Sequence, residues 1–339
     1  VGASPLAAAM RGPSSSIISV SHTVSRETGF APSPATLPIS GMALRQVLEA
    51  PLSASSLPSS PAGTVTRFAP SPTGDLHLGH AYSALFAAEQ AKRDGGIFLL
   101  RIEDIDITRC KPEHEAANLE DLHWLGLSWP EPVRRQSEHF GFYQAALDRL
   151  EEMGLLYRCF LSRRELNDAL AAPHGVPPKA PVDTDMLLSD AERQRRLDSG
   201  KPFALRLRMA HAIERAGPLT WTDRHRGEHQ ARPEIFGDVV LARRDIPTSY
   251  HLAVTLDDAL QGITLVTRGE DLLDATHIHR LLQALLDLHT PDYLHHGLLR
   301  GEDGKRLAKR EQSTAIRDLR AAGHSPGDVR AMVRAQSPD

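Results

Sequence analysis

The stretch RFAPSPTGDLHLGH, residues 67–80, separates a short β-prone run from a run with apolar residues at helical spacing. The β-prone run is Thr64–Ala69, and the helical run is Ala81–Arg93, which two glycines end. Residues 97–102 are then typical of a buried strand. A strand, a helix and a strand at this spacing predict a βαβ unit, in which ligands bind beyond the carboxyl ends of the parallel strands. The quoted stretch therefore predicts an α/β fold with a ligand site.

A middle part of different character interrupts this α/β pattern. Alternating apolar and arginine residues around Leu205 and a second short β-like run at Trp221 predict an insertion with its own small fold. Helices are predicted before and within it at Glu113–Leu125, at Ser137–Met153 and from the capping-box pair Ser162 and Glu165 onward. The later predicted elements are a strand at Asp238–Ala242, a helix at Tyr250–Leu260, a strand at Ile263–Thr267, a helix at His277–Leu288 and a helical stretch at Ser313–Arg320 before a polar tail.

Composition restricts the function classes. The chain has 339 residues, 41% of them hydrophobic, and a formal net charge of −4, so an RNA partner would need a local basic surface. Two cysteines, Cys110 and Cys159, argue against a disulfide scaffold and predict a reducing, cytoplasmic compartment in a bacterium. Since no run approaches the roughly 18 to 20 apolar residues of a membrane span, we expect no membrane partner.

Two histidines stand at the predicted start of the first helix, His77 and His80, with Gly79 between them. A helix N-terminus favours anions, and imidazole N–H groups can donate to phosphate oxygens. Because Gly79 has no side chain, the flat base of a nucleotide could lie directly against the backbone. The motif predicts a nucleotide site, and the alternative is an ordinary helix start.

Five segments in order resemble the class I aminoacyl-tRNA synthetases of the glutamate and glutamine branch. RFAPSPTGDLHLGH resembles their HIGH element. The other four segments are RIED at 101–104, YHLA at 250–253, VTRGEDL at 266–272 and GKRLAKR at 304–310. The resemblance runs from about Thr64 to Arg310 and implies an α/β, Rossmann-type parallel-sheet catalytic domain with an inserted small α+β subdomain.

Composition and residue pattern, together with this resemblance, indicate how the chain is divided. Residues 1–63, rich in Ser, Ala and Pro, are expected to be a disordered extension, either an overextended gene start, since the chain begins with Val, or an organellar transit peptide. The remaining expected segments are the first catalytic half at 64–154, the insertion at 155–235, the second half at 236–300, and a KMSKS-like loop with a short helical region at 301–339.

The resemblance implies a glutamate pocket. In it, Glu103 would hold the substrate ammonium, and Arg268 would hold the γ-carboxylate, since a guanidinium pairs with two oxygens. The residues implied to bind glutamate are Arg67, Phe68, Ala69, Pro70, Ser71, Glu103, Tyr250 and Arg268. The alternatives are that Glu103 is a surface carboxylate paired with Arg101, and that Arg268 pairs with Glu270 or Asp271.

An ATP site with Mg²⁺ is implied beside this pocket. The residues implied to bind ATP are His77, Gly79, His80, Arg306 and Lys309, of which His77, His80 and Lys309 would be catalytic. Arg306 replaces the first lysine of the family's KMSKS loop and Ala308 its serine, which retains charge and removes a hydroxyl. The alternative is an ordinary basic loop.

The chain ends soon after Arg310, so we expect no anticodon-binding domain. This resembles the glutamyl-queuosine tRNA(Asp) synthetases, in which the catalytic domain binds the anticodon stem-loop of queuosine-containing tRNA(Asp) and glutamate is attached to queuosine. A monomer is expected. Alternatives are a truncated glutamyl-tRNA synthetase that charges the 3′ end of tRNA(Glu), a non-catalytic RNA-binding relic and a nucleotidyltransferase.

Two further expectations concern the middle of the chain. The family often carries zinc on several cysteines there, whereas this sequence keeps only Cys159, so zinc is not expected. Candidate RNA contacts are Arg206, Arg208, Arg243 and Arg244, with solvated surface charge as the alternative.

Overall fold

A computed structural model of the chain describes residues 63–161, 188–243, 245–299 and 314–337. Several predictions lie outside these ranges: the N-terminal extension up to residue 62, the helix from Ser162, Arg244, and the loop with Arg306 and Lys309.

The predicted βαβ unit is present. It consists of β1 (Val65–Phe68), α1 (Leu78–Arg93) and β2 (Ile97–Ile102), with β1 and β2 parallel. Alanines on the buried face of α1 let the helix lie close to the sheet. Gly96 permits the tight return into β2, because a Cβ there would lie 1.9 Å from the Thr64 carbonyl oxygen.

The other elements follow in chain order. The helices are α2 (Pro112–Trp124), α3 (Phe140–Glu152), α4 (Asp190–Asp198), α5 (Met209–Ala216), α6 (Tyr250–Leu260), α7 (Ala275–Leu285), α8 (Ile316–Ala321) and α9 (Pro326–Gln336). The strands are β3 (Arg134–Arg135), β4 (Leu156–Cys159), β5 (Ala204–Leu207), β6 (Thr220–Asp223), β7 (Gly227–Gln230), β8 (Val240–Arg243), β9 (Leu265–Gly269) and β10 (Asp292–His296). Short 3₁₀ turns occupy Gln136–His139, Pro233–Phe236 and Glu270–Leu272.

Two parallel sheets meet at the centre of the fold. One has the order β1-β2-β3, and the other has the order β7-β6-β10-β9, in which β6, β10 and β9 are parallel. The backbone N–H of Thr264, just before β9, donates to the carbonyl of Val65 in β1 at 3.0 Å. Since β1 and β9 therefore lie side by side, their carboxyl ends, at Phe68 and Gly269, lie at the same edge.

Sheet membership does not follow the predicted segment boundaries. Strands β6 and β7, from within 155–235, join the parallel sheet through β10, because Tyr293 pairs with Asp223. Strand β8, expected in the second catalytic half, instead pairs with β5 in the antiparallel sheet β4-β5-β8. The division into catalytic halves and an insertion stays a prediction.

Several predicted element bounds need correction, among them the helix predicted at His277–Leu288, which is α7, and the strand predicted at Asp238–Ala242, which is β8. Helix α1 begins at Leu78, three residues early, because the His77 side chain caps it. Helix α3 begins at Phe140, because Ser137 binds Asp104 through its N–H at 2.8 Å and its hydroxyl at 2.5 Å. The strand predicted at Ile263–Thr267 begins and ends two residues later, as β9 at Leu265–Gly269.

The polar tail predicted after α8 is wrong for residues 326–336, which form helix α9. Ser325 begins this helix with a capping box to Asp328, and Val329 and Val333 are buried against the core that contains α1. In the described ranges, no helix is both long enough and apolar enough to cross a bilayer.

Trp221 in β6 belongs to a smaller apolar cluster beneath the second parallel sheet and is 2% exposed. Its ring packs against Tyr293 of β10 with centroids 5.5 Å apart. This aromatic contact helps to fix the position of β10 in the sheet.

Candidate active site

A cavity of about 690 Å³ lies at the carboxyl ends of β1, β9 and β10. The predicted site residues that line it are Arg67, Phe68, Ala69, His77, Gly79, His80, Glu103, Tyr250 and Arg268. Further lining residues include Tyr82, Ser83, Asp271, Leu272, His296 and Leu299. The glutamate and ATP residues predicted in β1, α1, β2, α6 and β9 are therefore brought to one cavity.

Two predicted residues are absent from the described cavity lining, Pro70 and Ser71. Pro70 is buried, and its carbonyl accepts the Glu103 N–H at 3.0 Å, which holds the loop after β1 to the end of β2. Ser71 is exposed. Their binding roles stay predictions.

The histidine pair caps helix α1 through its own rings. His77 Nδ1 accepts the Gly79 N–H at 3.1 Å, and His80 Nδ1 accepts the His77 N–H at 3.2 Å. A neutral imidazole that accepts at Nδ1 carries its proton on Nε2. Both rings, whose centroids are 3.8 Å apart, therefore have the tautomer that can donate to a phosphate from Nε2.

Arg67 at the end of β1 is 5% exposed and forms a two-point ion pair with Asp258 of α6. Its Nε and Nη2 donate to the two carboxylate oxygens at 2.8 and 3.2 Å, and Nη1 donates to the Thr267 carbonyl at 3.2 Å. Arg101, fully buried in β2, donates to the same carboxylate at 2.8 Å. Asp258 thus fixes two arginines, of which Arg67 lines the cavity.

Glu103 is 8% exposed, so the alternative of a surface carboxylate is wrong, although its contact with Arg101 at 3.4 Å is present. Burial raises the pKa of the Glu103 carboxyl, against the opposing effect of Arg101 and Arg67. An incoming ammonium group would favour its ionised form.

Arg268 in β9 is 6% exposed, and its described hydrogen-bond partners carry no carboxylate. Nε donates to His295 Nε2 at 3.1 Å, Nη1 to His279 Nδ1 at 3.1 Å and Nη2 to Thr276 Oγ1 at 2.6 Å. Of the two suggested alternative partners, Glu270 binds Arg226 at 2.9 Å, and Asp271 lines the cavity. A buried guanidinium of this kind can pair with an incoming carboxylate.

Tyr250 begins helix α6 beside the cavity, and Ser249 caps that helix by accepting the Leu252 N–H. Burial raises the pKa of the Tyr250 phenol, so the hydroxyl stays protonated and can donate. Its ring lies edge-on to His279 at 5.7 Å, which connects it to the surroundings of Arg268.

The residues that support the pocket were not predicted from the sequence. Asp257 and Asp258 are adjacent acids on the buried side of α6, and two acids in an otherwise apolar helix are a signal that could have identified them. Asp257 accepts from Arg134, Gln136 and Tyr143 at 2.8, 2.8 and 2.9 Å. No comparable sequence signal distinguishes His279 or His295 from other histidines.

The start of the C-terminal helical region contacts the loop that precedes helix α1. The N–H of Ile316 donates to the Leu76 carbonyl at 2.8 Å, and Ala315 forms a β-bridge with His77. Arg317 pairs with Asp75 at 2.9 Å. Since Leu299 also lines the cavity, the described residues on either side of 300–313 both lie at this site.

Three of the four predicted RNA contacts have protein partners, and the fourth, Arg244, lies outside the described residues. Arg206 donates to the Asp238 carbonyl at 2.6 Å, the Arg208 guanidinium lies 4.9 Å from the Tyr157 ring centroid, and Arg243 pairs with Asp245. Their role in RNA binding stays a prediction. Across the described ranges, no group of three or more His, Cys, Asp or Glu side chains could hold a metal ion; the absence of zinc stays a prediction.

Comparison with known families identifies the class. The family "tRNA synthetases class I (E and Q), catalytic domain" matches residues 64–335. The chain belongs to this family and is a ligase-type enzyme that uses ATP as a substrate.

Individual relatives fall into two groups. The chain is 51% identical to Glutamyl-Q tRNA(Asp) synthetase of Rhodobacter capsulatus, over 79% of this chain and 99% of the relative. It is 44% identical to Glutamyl-Q tRNA(Asp) synthetase of Nocardia farcinica, over 80% and 84%. Glutamate–tRNA ligase 1 of Halorhodospira halophila is 40% identical over 77% of this chain, which spans only 56% of that ligase.

A similar solved structure is the glutamate tRNA ligase of Elizabethkingia meningosepticum in complex with its amino acid. It has 29% sequence identity and a TM-score of 0.62, over 77% of this chain and 53% of the ligase. The class I catalytic fold predicted from the sequence is therefore confirmed.

Proposed function

We propose that this enzyme activates L-glutamate with ATP and transfers the glutamyl group to the queuosine base in the anticodon of tRNA(Asp). The observation that carries the proposal is that Glu103 and Arg268, whose side chains have opposite charge, line the same cavity as His77 and His80. The relatives named Glutamyl-Q tRNA(Asp) synthetase, which this chain matches over 83–99% of their length, support the acceptor.

The amino acid would bind at the floor of the cavity. Glu103 accepts from the substrate ammonium, and Arg268 pairs with the γ-carboxylate. Glutamine, whose amide carries no charge, would gain less from Arg268. Tyr250 adds a hydroxyl donor beside them.

Activation would proceed by positioning and by charge stabilisation. An oxygen of the substrate α-carboxylate attacks the α-phosphorus of ATP, and the bond to the bridging oxygen breaks as pyrophosphate leaves. The Nε2–H groups of His77 and His80 donate to phosphate oxygens, and Lys309 adds positive charge. Mg²⁺ would be held by the phosphates of ATP, since the described residues provide no cage of their own.

Transfer completes the reaction. A hydroxyl of queuosine attacks the carbonyl carbon of glutamyl-adenylate, an ester forms, AMP leaves and the hydroxyl proton is released. The 40% identity to a glutamate–tRNA ligase favours a second candidate, in which the acceptor is the 3′ end of tRNA(Glu).

The test incubates the protein with labelled glutamate, ATP and one of three RNAs: tRNA(Glu), tRNA(Asp) with queuosine, or tRNA(Asp) without it. Label on queuosine-containing tRNA(Asp) alone supports the proposal. Label on tRNA(Glu) would support the second candidate and contradict the first. Absence of glutamate-dependent pyrophosphate exchange would indicate a non-catalytic relic.

A further inference from the structure

The support of Arg268 is built from uncharged groups. All three of its described hydrogen bonds go to neutral acceptors, the imidazoles of His295 and His279 and the hydroxyl of Thr276. These contacts leave one N–H on each terminal nitrogen without an acceptor in the described part of the chain. Arg268 lines the cavity, so its remaining donors suit a two-point contact with a carboxylate.

Arg268 determines where the protons of this network lie. Because a guanidinium only donates, His279 must accept at Nδ1, so its proton lies on Nε2 and is donated to His251 Nδ1 at 3.1 Å. His295 must accept at Nε2, so its proton lies on Nδ1 and is donated to Asp223 at 2.7 Å. Each of the three imidazoles is neutral in this arrangement.

Two buried carboxylates in this region are bound by other groups, and a further carboxylate, that of Asp271, lines the cavity together with Arg268. Asp258 is shared by Arg67 and Arg101, and Asp223 binds the ring and N–H of His295 and two further backbone N–H groups. The His295 ring therefore stands between Arg268 and the Asp223 carboxylate. Burial lowers the pKa of His295 to about 4, which agrees with a neutral ring between these two charges.

We propose that His279, His295 and Thr276 are positioning residues that hold Arg268 without neutralising it, and that this uncharged support determines the preference for glutamate over glutamine. The inference rests on the proposed function, because Arg268 is taken to bind the substrate γ-carboxylate. A carboxylate at any of these positions would compensate the charge internally and reduce the gain from a charged substrate.

The test introduces a carboxylate next to Arg268 and compares it with the amide of the same shape. His279→Glu supplies an internal counter-ion, whereas His279→Gln supplies a neutral acceptor. Isothermal titration calorimetry with glutamate and with glutamine gives the ratio of the two Kd values for each protein. We expect His279→Glu to reduce that ratio by about tenfold or more, and His279→Gln to retain the preference for glutamate.

A second pair keeps the test independent of one buried position. Thr276→Asp and Thr276→Asn differ in the same way, and Thr276 lies 2.6 Å from the opposite terminal nitrogen of the guanidinium. ATP affinity and circular dichroism establish that each variant is folded. If one carboxylate variant does not fold, the other pair decides.

The outcomes separate the inference from the proposed function. The inference is overturned if a folded carboxylate variant keeps the wild-type preference, if both members of a pair lose it equally, or if the wild type binds the two amino acids alike. Glutamate-dependent pyrophosphate exchange by the wild type is measured separately. Its absence would contradict the proposed reaction, whereas the calorimetric ratios decide the inference in either case.

Discussion

At Gly79, one methyl group is expected to disturb the end of the cavity where we propose that ATP binds. A Cβ there would lie 3.1 and 3.2 Å from Cε1 and Nδ1 of the His77 ring, so the ring must move and its bond to the Gly79 N–H weakens. We expect Gly79→Ala to lower kcat/KM for ATP by about tenfold or more, since sub-ångström placement matters in such sites. Pyrophosphate exchange at varied ATP measures it.

Gly141 provides the matched control for that substitution. It is the second residue of α3, as Gly79 is of α1, and a Cβ there meets nothing within 4 Å. Gly141→Ala should leave the kinetics unchanged. Equal activity of the two variants would contradict the importance of the His77 ring position.

Asp258 offers a prediction about stability. Although burial opposes it, Arg67 and Arg101 lower the pKa of Asp258, so the carboxylate is ionised between two buried cations. We expect Asp258→Asn to reduce the free energy of unfolding by about 3 to 5 kcal/mol, the usual effect of breaking a buried pair. Urea denaturation followed by circular dichroism measures it.

The control is Asp245→Asn, which breaks an exposed pair with Arg243 and should cost less than about 1 kcal/mol. A loss at Asp258 no larger than at Asp245 would mean that the two buried arginines find other partners.

The sequence predicts the residues that line the cavity better than the residues that support them. Arg67, Glu103 and Arg268 lie in recognisable segments at the carboxyl ends of strands, where ligand-binding groups are expected. His279 and His295 contact Arg268 only because α7 and β10 meet β9 in three dimensions. Such contacts depend on packing between segments, which local pattern does not encode.

At the scale of elements, α8 is expected to link the C-terminal region to catalysis. Ile316, fully buried, anchors this helix, and its N–H holds the Leu76 carbonyl next to His77. We expect Ile316→Ala to reduce the free energy of unfolding by about 2 to 4 kcal/mol. It should also slow adenylate formation at temperatures where the protein remains folded.

The comparison variant is Arg317→Ala, which removes a half-exposed ion pair to Asp75 and should cost about 0.5 kcal/mol. Thermal melting and pyrophosphate exchange are measured on both proteins. Normal kinetics in folded Ile316→Ala would show that α8 serves stability alone.

Element prediction succeeded where apolar spacing was strong. Helix α6 has the predicted bounds Tyr250–Leu260, because apolar residues make up most of its buried positions and Ser249 caps it. Helix α9 was missed because its sequence, PGDVRAMVRAQ, is short and polar and buries mainly Val329 and Val333. Tertiary packing, which the sequence pattern does not reveal, stabilises such a helix.

For the whole molecule, the buried imidazoles predict a dependence of stability on pH. Burial, reinforced by Arg268, lowers the pKa of His251 to about 4 from 6.5. Between pH 6.5 and pH 4 the unfolded chain binds more protons at His251 than the folded protein does. The contribution of neutral His251 to stability is therefore present above pH 6.5 and is lost as the pH falls toward 4. Burial raises the pKa of Glu103, so the protonation of this carboxyl favours the folded protein as the pH falls, opposite to the effect of His251.

A variant isolates the histidine from the other groups. Between pH 7 and about pH 5, His251→Gln should lose roughly 2 kcal/mol less stability than the wild type, because about 1.4 kcal/mol accompanies each pKa unit. Urea midpoints at both pH values measure the difference. Identical pH dependence in the two proteins would place the His251 pKa near its ordinary value.

The position of Trp221 gives the protein an intrinsic optical probe. Its indole stacks on His229 at 4.3 Å and lies 5.9 and 6.0 Å from the rings of His277 and His295. An imidazolium quenches indole fluorescence more strongly than a neutral imidazole does. In a protein with Trp124→Phe and Trp129→Phe, the emission of the remaining tryptophan would report, without any label, when protons reach the histidines around it.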